Sequence, residues 1–200
     1  RPDRRRPAGD GPDGHSLWPA FTNVPNEFLE AYFPLRIRTY ATIPDSGGAG
    51  LHRGGNGITI AYEMLETGEI SIHDDRWLTY PWGVNGGEPG MRSTKRLVRT
   101  DGTEENIPSK CDRIHVGPGD ILYFNTWGGG GWGDPLERDP GLVLADVDRG
   151  LVTVEGARRY GVVIKSGEVD MSATTKLRND MAAKRGDTAL FDRGFTSIEE

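Results

Sequence analysis

The side chains able to do chemistry gather around three glycine-rich stretches. DSGGAGLHRGGNG at 45–57 sets Asp45, His52 and Arg53 among its glycines. Successive backbone N–H groups in such a loop can cradle an anion, and the Arg53 guanidinium adds a forked donor. The same stretch also reads as a long hairpin connection whose arginine pairs with a nearby carboxylate, and loops of that kind are common without function. GGGGWG at 128–133 satisfies G-x-G-x-x-G to the letter, but Asp134 and Pro135 follow at once. A dinucleotide fingerprint needs its last glycine in the first turn of a helix that meets a pyrophosphate, and an acid there repels phosphate. The run is therefore expected to be a structural loop, its glycines permitting positive φ or close backbone approach to another chain or an active-site wall. No G-x-x-x-x-G-K-[ST] pattern occurs, so no P-loop is expected.

His15, His52, His73 and His115 are scattered, without H-x-H, H-x-x-x-H or C-x-x-C spacing. No metal is expected to be held wholly within this chain. Asp75 and Arg76 read as an ion pair at a loop entrance or as contacts to a neighbouring chain. Cys111 has no local histidine base and reads as packing, and no G-x-S-x-G element is present. Trp77, Trp82, Trp127 and Trp132 flank the glycine stretches. Interface burial and loop packing explain them equally well.

The elements that must position these residues are mainly strands. Asn26 is expected to cap a short helical turn through Tyr32, which Pro34 stops. From Leu35 the period becomes two, with Leu35, Ile37, Thr39, Ala41 and Ile43 on one face. Further strands are expected near 57–65, 69–74, 95–100, 112–116 and 120–126, with Thr67-Gly68, Asp101-Gly102 and Pro118-Gly119 as turns. The fold class is α+β: an antiparallel β-rich sheet or sandwich over about 35–126, then short C-terminal helices. Asp139-Pro140 opens one helix, Thr153 caps a second that Gly161 closes, and a third spans about 171–185 with Ala173, Leu177 and Met181 on one face.

Composition narrows the function classes. Of 200 residues, 29 are Gly and 13 Pro, without a G-X-Y period, which excludes collagen. A formal net charge of −6 argues against a nucleic-acid partner. One cysteine fits a reducing cytoplasm, and no apolar run approaches the ~20 residues of a membrane helix. Residues 1–14, with the Arg4-Arg5-Arg6 cluster, read as a linker or exposed arm. The chain opens at Arg1 without an initiator Met, which points to upstream trimming or to a piece of a larger subunit.

FLEAYFPLRI, PDSGGAGLHRGGNG, SIHDDRWLTYPWGVNGGEPG, PGDILYFNTWGGGGWGDPLERDP and RGLVTVEGARRYGV together resemble the C-terminal part of hydantoinase B/oxoprolinase family subunits. The resemblant region is about 15–165, and 166–200 is expected to be a peripheral helical tail. The resemblance implies part of a B-type subunit in an ATP-dependent hetero-oligomer that hydrolyses a hydantoin- or oxoproline-like cyclic amide. Phosphate from ATP would activate the amide or enol oxygen before water or bicarbonate attacks. A ketone carboxylase of the acetophenone type and a non-catalytic structural subunit are the alternatives; a free-standing sugar-binding sandwich is a third. The implied partners are an A-type actin-like ATP-binding subunit, the remaining N-terminal part of the B-type subunit and a small-molecule substrate. ATP and a divalent metal would be bound outside this chain. In that picture Asp45, Gly47, Gly48, Gly50 and Arg53 contact substrate or anion. His15 and Asn23 match the family's His…Thr-Asn stretch, and Asp75 and Arg76 its Asp-Arg pair, as catalytic candidates.

Overall fold

The period-two alternation folds as strands because branched side chains gain burial on one face of a pleated sheet. The structure, a computed structural model, describes residues 9–15 and 23–194; Arg4–Arg6 and 195–200 lie outside the described residues. A short helix α1 (Asn26–Tyr32) leads into β1 (Leu35–Thr42), β2 (Ile58–Met64), β3 (Gly68–His73), β4 (Gly83–Val84), β5 (Thr94–Val98), β6 (Glu104–Asn106), β7 (Lys110–Val116) and β8 (Ile121–Asn125). An antiparallel five-stranded sheet runs β1-β2-β8-β5-β6, and β3 pairs with β7 in a second layer. Met64, Ile72, Leu97, Ile107, Val116 and Leu122, drawn from both layers, form the core of this half. The α+β expectation holds.

Two local expectations are corrected. Thr67-Gly68 is not a hairpin turn, because β2 and β3 belong to different layers and Ile70 of β3 faces Ile114 of β7. Residues 65–67 instead carry the chain from one layer to the other. In β1 a bulge at Arg38 separates the pair Ile37–Tyr62 from Thr39–Ala61. One inserted residue reverses the alternation, so Tyr40 and Thr42, rather than Thr39 and Ala41, share the face of Leu35 and Ile37.

The C-terminal half follows its capping signals. Helix α2 (Pro140–Asp148) begins where Asp139 accepts from the Gly141 amide at 2.6 Å. Thr153 Oγ1 accepts from the Gly156 amide at 2.8 Å and opens a 3₁₀ helix over Gly156–Tyr160, which ends at Gly161 with φ 65°. The hairpin β9 (Ile164–Lys165) and β10 (Glu168–Val169) precedes α3 (Met171–Lys184), whose half-buried face includes Ala173, Leu177 and Met181. The tail then returns to the body, because β11 (Phe191–Asp192) pairs with β4. Val143, Val152, Ala157, Tyr160 and Val162 pack here around Ala49 of the first glycine stretch.

Between the halves, the three glycine stretches, 45–57, 83–90 and 128–133, hydrogen-bond to one another. The Gly48 amide donates to Gly129 O (2.8 Å), Gly129 to Gly55 O (2.7 Å), Gly131 to Glu88 O (2.9 Å) and Gly128 to Met91 O (3.1 Å). None of Gly128–Gly131 has a positive φ; what they require is close approach. A Cβ on Gly128 or Gly130 would fall inside the carbonyl of Ser46 or Trp82. The approach is to other segments of the same chain. No helix among the described residues is long and apolar enough to cross a membrane.

Candidate functional site

A cavity of ≈ 700 Å³ opens beside this glycine layer. Its walls are the 52–58 stretch leading into β2, Thr126 and Trp127 just after β8, Gly129, Gly130, Trp132, Asn23 and a strap of residues 9–15. His52 and Trp132 exchange backbone hydrogen bonds, both at 3.0 Å, which sets their rings 5.8 Å apart. Gly50 makes this pairing possible: a Cβ there would lie 2.7 Å from His52 O and from both Trp132 N and O. Asn23 donates its carboxamide to Tyr40 Oη of β1 at 2.8 Å.

The strap has neither helix nor strand, and is held by carboxylates. Asp10 accepts from both terminal nitrogens of Arg138 at 2.7 Å and from the Arg53 amide at 2.8 Å. Asp13 accepts from Arg53 Nη1 at 2.7 Å, Arg53 Nη2 at 3.1 Å and the Asn56 amide at 2.7 Å. Both guanidiniums are buried, and Asp146 of α2 lies against both, 2.7 Å from Arg138 Nη2 and 3.7 Å from Arg53 Nε. Burial works against the Asp10 carboxylate, but hydrogen bonds from Arg138 and the Arg53 amide outweigh it and hold its pKa below the usual aspartate value. Burial pushes the neighbouring Tyr160 hydroxyl up to about 12. Residues 9–14 are mostly exposed, with Gly11 and Asp13 half-buried, yet they are docked on the body.

Among the expected residues, His15, Asn23 and Arg53 converge on this cavity. Arg53 does so as an anchor whose donors face Asp13 and its own loop, including Gly54 O at 2.8 Å. The amides of Gly47 and Gly48 are engaged inside the chain, by Asn56 Oδ1 and Gly129 O at 2.8 Å each, so they do not form an open anion cradle. Gly50 stands behind the cavity wall. Asp45 lies apart: its carboxylate accepts from the Thr153 amide (3.0 Å) and hydroxyl (2.6 Å) and borders a shallow recess with Glu88, Arg158 and Arg159. Asp75 and Arg76 follow β3, where their carbonyls accept from Ser93, and neither lines the cavity.

His52, Trp127, Trp132, Asp10, Asp13 and Arg138 complete the constellation. Trp127 and Trp132 were signalled by flanking the glycine run; nothing in their spacing joins Asp10 to Arg138, 128 positions apart. Two indoles line the cavity and can pack against a planar ring, beside imidazole and carboxamide groups able to donate or accept. Among the described residues no group of three His, Cys, Asp or Glu side chains converges to hold a metal, so these residues do not fit a divalent cation. The amides of Gly128, Gly129 and Gly131 are likewise engaged by Met91 O, Gly55 O and Glu88 O and offer no phosphate loop.

The family described as Hydantoinase B/oxoprolinase matches residues 5–135. The B-type subunit of a putative D-/L-hydantoinase from Pseudomonas sp. (strain NS671) is 34% identical, over 84% of this chain and 29% of its own length. The acetophenone carboxylase delta subunit of Aromatoleum aromaticum is 30% identical, over 90% of this chain and 32% of its own. The crystal structure of the ATP-dependent caprolactamase from Pseudomonas jessenii superposes with a TM-score of 0.60 at 35% identity, covering 77% of this chain and 28% of that one. The chain spans less than a third of the length of these relatives.

Proposed function

The chain belongs to the hydantoinase B/oxoprolinase family, and from that premise we propose that it is part of the B-type subunit of an ATP-dependent hetero-oligomeric enzyme that opens a cyclic amide. The observation that carries this reading is the ≈ 700 Å³ cavity, where His15, Asn23 and His52 join Trp127 and Trp132. The indoles stack the ring, and the polar groups orient the amide. An imidazole beside the ring nitrogen supplies the proton that nitrogen needs on leaving. The relatives named as a hydantoinase component and an ATP-dependent caprolactamase support this branch.

An A-type actin-like ATP-binding subunit and the remaining part of the B-type subunit complete the complex, in the cytoplasm. ATP and a divalent metal belong outside this chain, and no step above passes through the metal. Ketone carboxylation is the second reading, supported by the 30% identity to the acetophenone carboxylase delta subunit over 90% of the chain. The complete complex, incubated with ATP and labelled bicarbonate, separates them. Ring opening without bicarbonate supports the first; label fixed on a ketone sinks it in favour of the second. Unchanged turnover per assembled complex in His15→Ala and Trp127→Ala would make the chain a structural subunit.

A further inference from the structure

We propose that the pairs Asp10–Arg138 and Asp13–Arg53 are positioning devices that hold the strap so that His15 stands in the cavity wall. Among the described residues the strap has no other strong anchor. Residues 9–15 contain no large apolar side chain, and most of them are exposed. Pro12 and Gly11 lie against Gly55, where a Cβ would collide, and the Gly11 and Gly14 amides donate to Arg53 O (2.7 Å) and Asn56 O (2.8 Å). Those backbone bonds form only if the strap lies along the 53–56 stretch, and the two carboxylates impose that alignment.

The receiving side is rigid. Arg138 and Arg53 are 2% and 4% exposed, whereas the Asp10 and Asp13 side chains are 32% and 23% exposed. Arg138 also donates to Leu51 O at 3.0 Å, and Arg178 donates to Arg138 O at 2.6 Å. The guanidiniums are therefore fixed sockets in the body, and the carboxylates are the plugs. Asp146 remains beside both sockets when a plug is removed, so losing a plug strands neither cation without an anion. This asymmetry predicts a strap that can be released without unfolding the body. It also changes the meaning of Arg53, which acts on the site through the strap.

The His15 role rests on the functional reading above, while the attachment itself is measurable without it. In the full chain, Asp10→Asn combined with Asp13→Asn should speed hydrogen exchange at the Gly11 and Gly14 amides on the order of 10–100-fold, the loss expected for charge-assisted hydrogen bonds. The Leu97 amide in the sheet core should keep its wild-type rate, as should all three amides in the control Glu66→Gln. Unchanged exchange at Gly11 and Gly14 overturns the proposal. So does equal acceleration at Leu97, because the pairs would then hold the fold and not the strap. In the complete complex, the double substitution should lower kcat in the wild-type background and cost nothing further beside His15→Ala. Additive losses would show that the pairs do not act through His15. A wild-type complex without ATP-dependent ring opening would sink the functional reading alone, and the exchange result would still decide the attachment.

Discussion

Gly50→Ala tests the glycine layer where it meets the cavity. The new methyl would stand 2.7 Å from His52 O, Trp132 N and Trp132 O, all backbone atoms. Ordinary carbon contacts lie near 3.5–4.0 Å, so the two segments must separate by roughly 0.7 Å or more. The segments are joined by the reciprocal His52–Trp132 hydrogen bonds, both at 3.0 Å, which that movement would stretch. Overpacking of this kind costs about 1–3 kcal/mol, and weakening the hydrogen bonds adds about 1 kcal/mol each. The expected loss is roughly 3–5 kcal/mol, a large part of the ~5–15 kcal/mol available to a domain. Gly68→Ala is the matched control, since nothing lies within 4 Å of its added Cβ. Urea unfolding followed by circular dichroism should move the midpoint sharply for Gly50→Ala and by less than about 0.5 kcal/mol for Gly68→Ala. Equal midpoints would refute the close-approach account of the glycines.

Two other outcomes follow from the buried charges. Arg138→Lys keeps the charge but loses the two-pronged fit to Asp10 and the bond to Asp146, and should destabilise the chain by about 2–4 kcal/mol in the same unfolding assay. On the acid side, burial raises the Asp10 and Asp120 carboxyls, but their hydrogen bonds prevail and both pKa values end below the ordinary aspartate value of 3.8. Asp120 accepts from the Gly117 amide and Arg99 at 3.0 Å and from the Thr100 amide at 3.2 Å. A depressed folded-state pKa means the stabilisation is present in full above the unfolded value and is lost as pH falls through the folded one. The thermal midpoint should therefore drop below about pH 4, and Asp120→Asn should lower it at pH 7 while flattening the acid slope.

The sequence carried much of the fold because the signals involved are local. Asp139-Pro140, Thr153, Gly161 and the face of α3 act over one or two turns, and each appeared where expected. Sheet pairing is non-local, so the Thr67-Gly68 hairpin was a misreading: two adjacent strands with a turn between them can enter different layers. The bulge at Arg38 is equally silent, since an extra residue leaves no mark on a period-two pattern until the partner strand is known.

Residue order alone was enough for the α+β class, for the family through its patterned glycine blocks, and for singling out His15, Asn23 and Arg53, which meet in one place. Composition also set the excess of glycine, though not its purpose. It took the folded chain to reveal that the glycines serve backbone-to-backbone contact within the molecule, that Asp45, Asp75 and Arg76 lie away from the cavity, and that Asp10 and Asp13 clasp buried arginines. The reason is physical. Turn, cap and strand preferences are properties of a few neighbouring residues, whereas the absence of a Cβ or the presence of a carboxylate acquires its meaning from whatever distant segment folding brings against it.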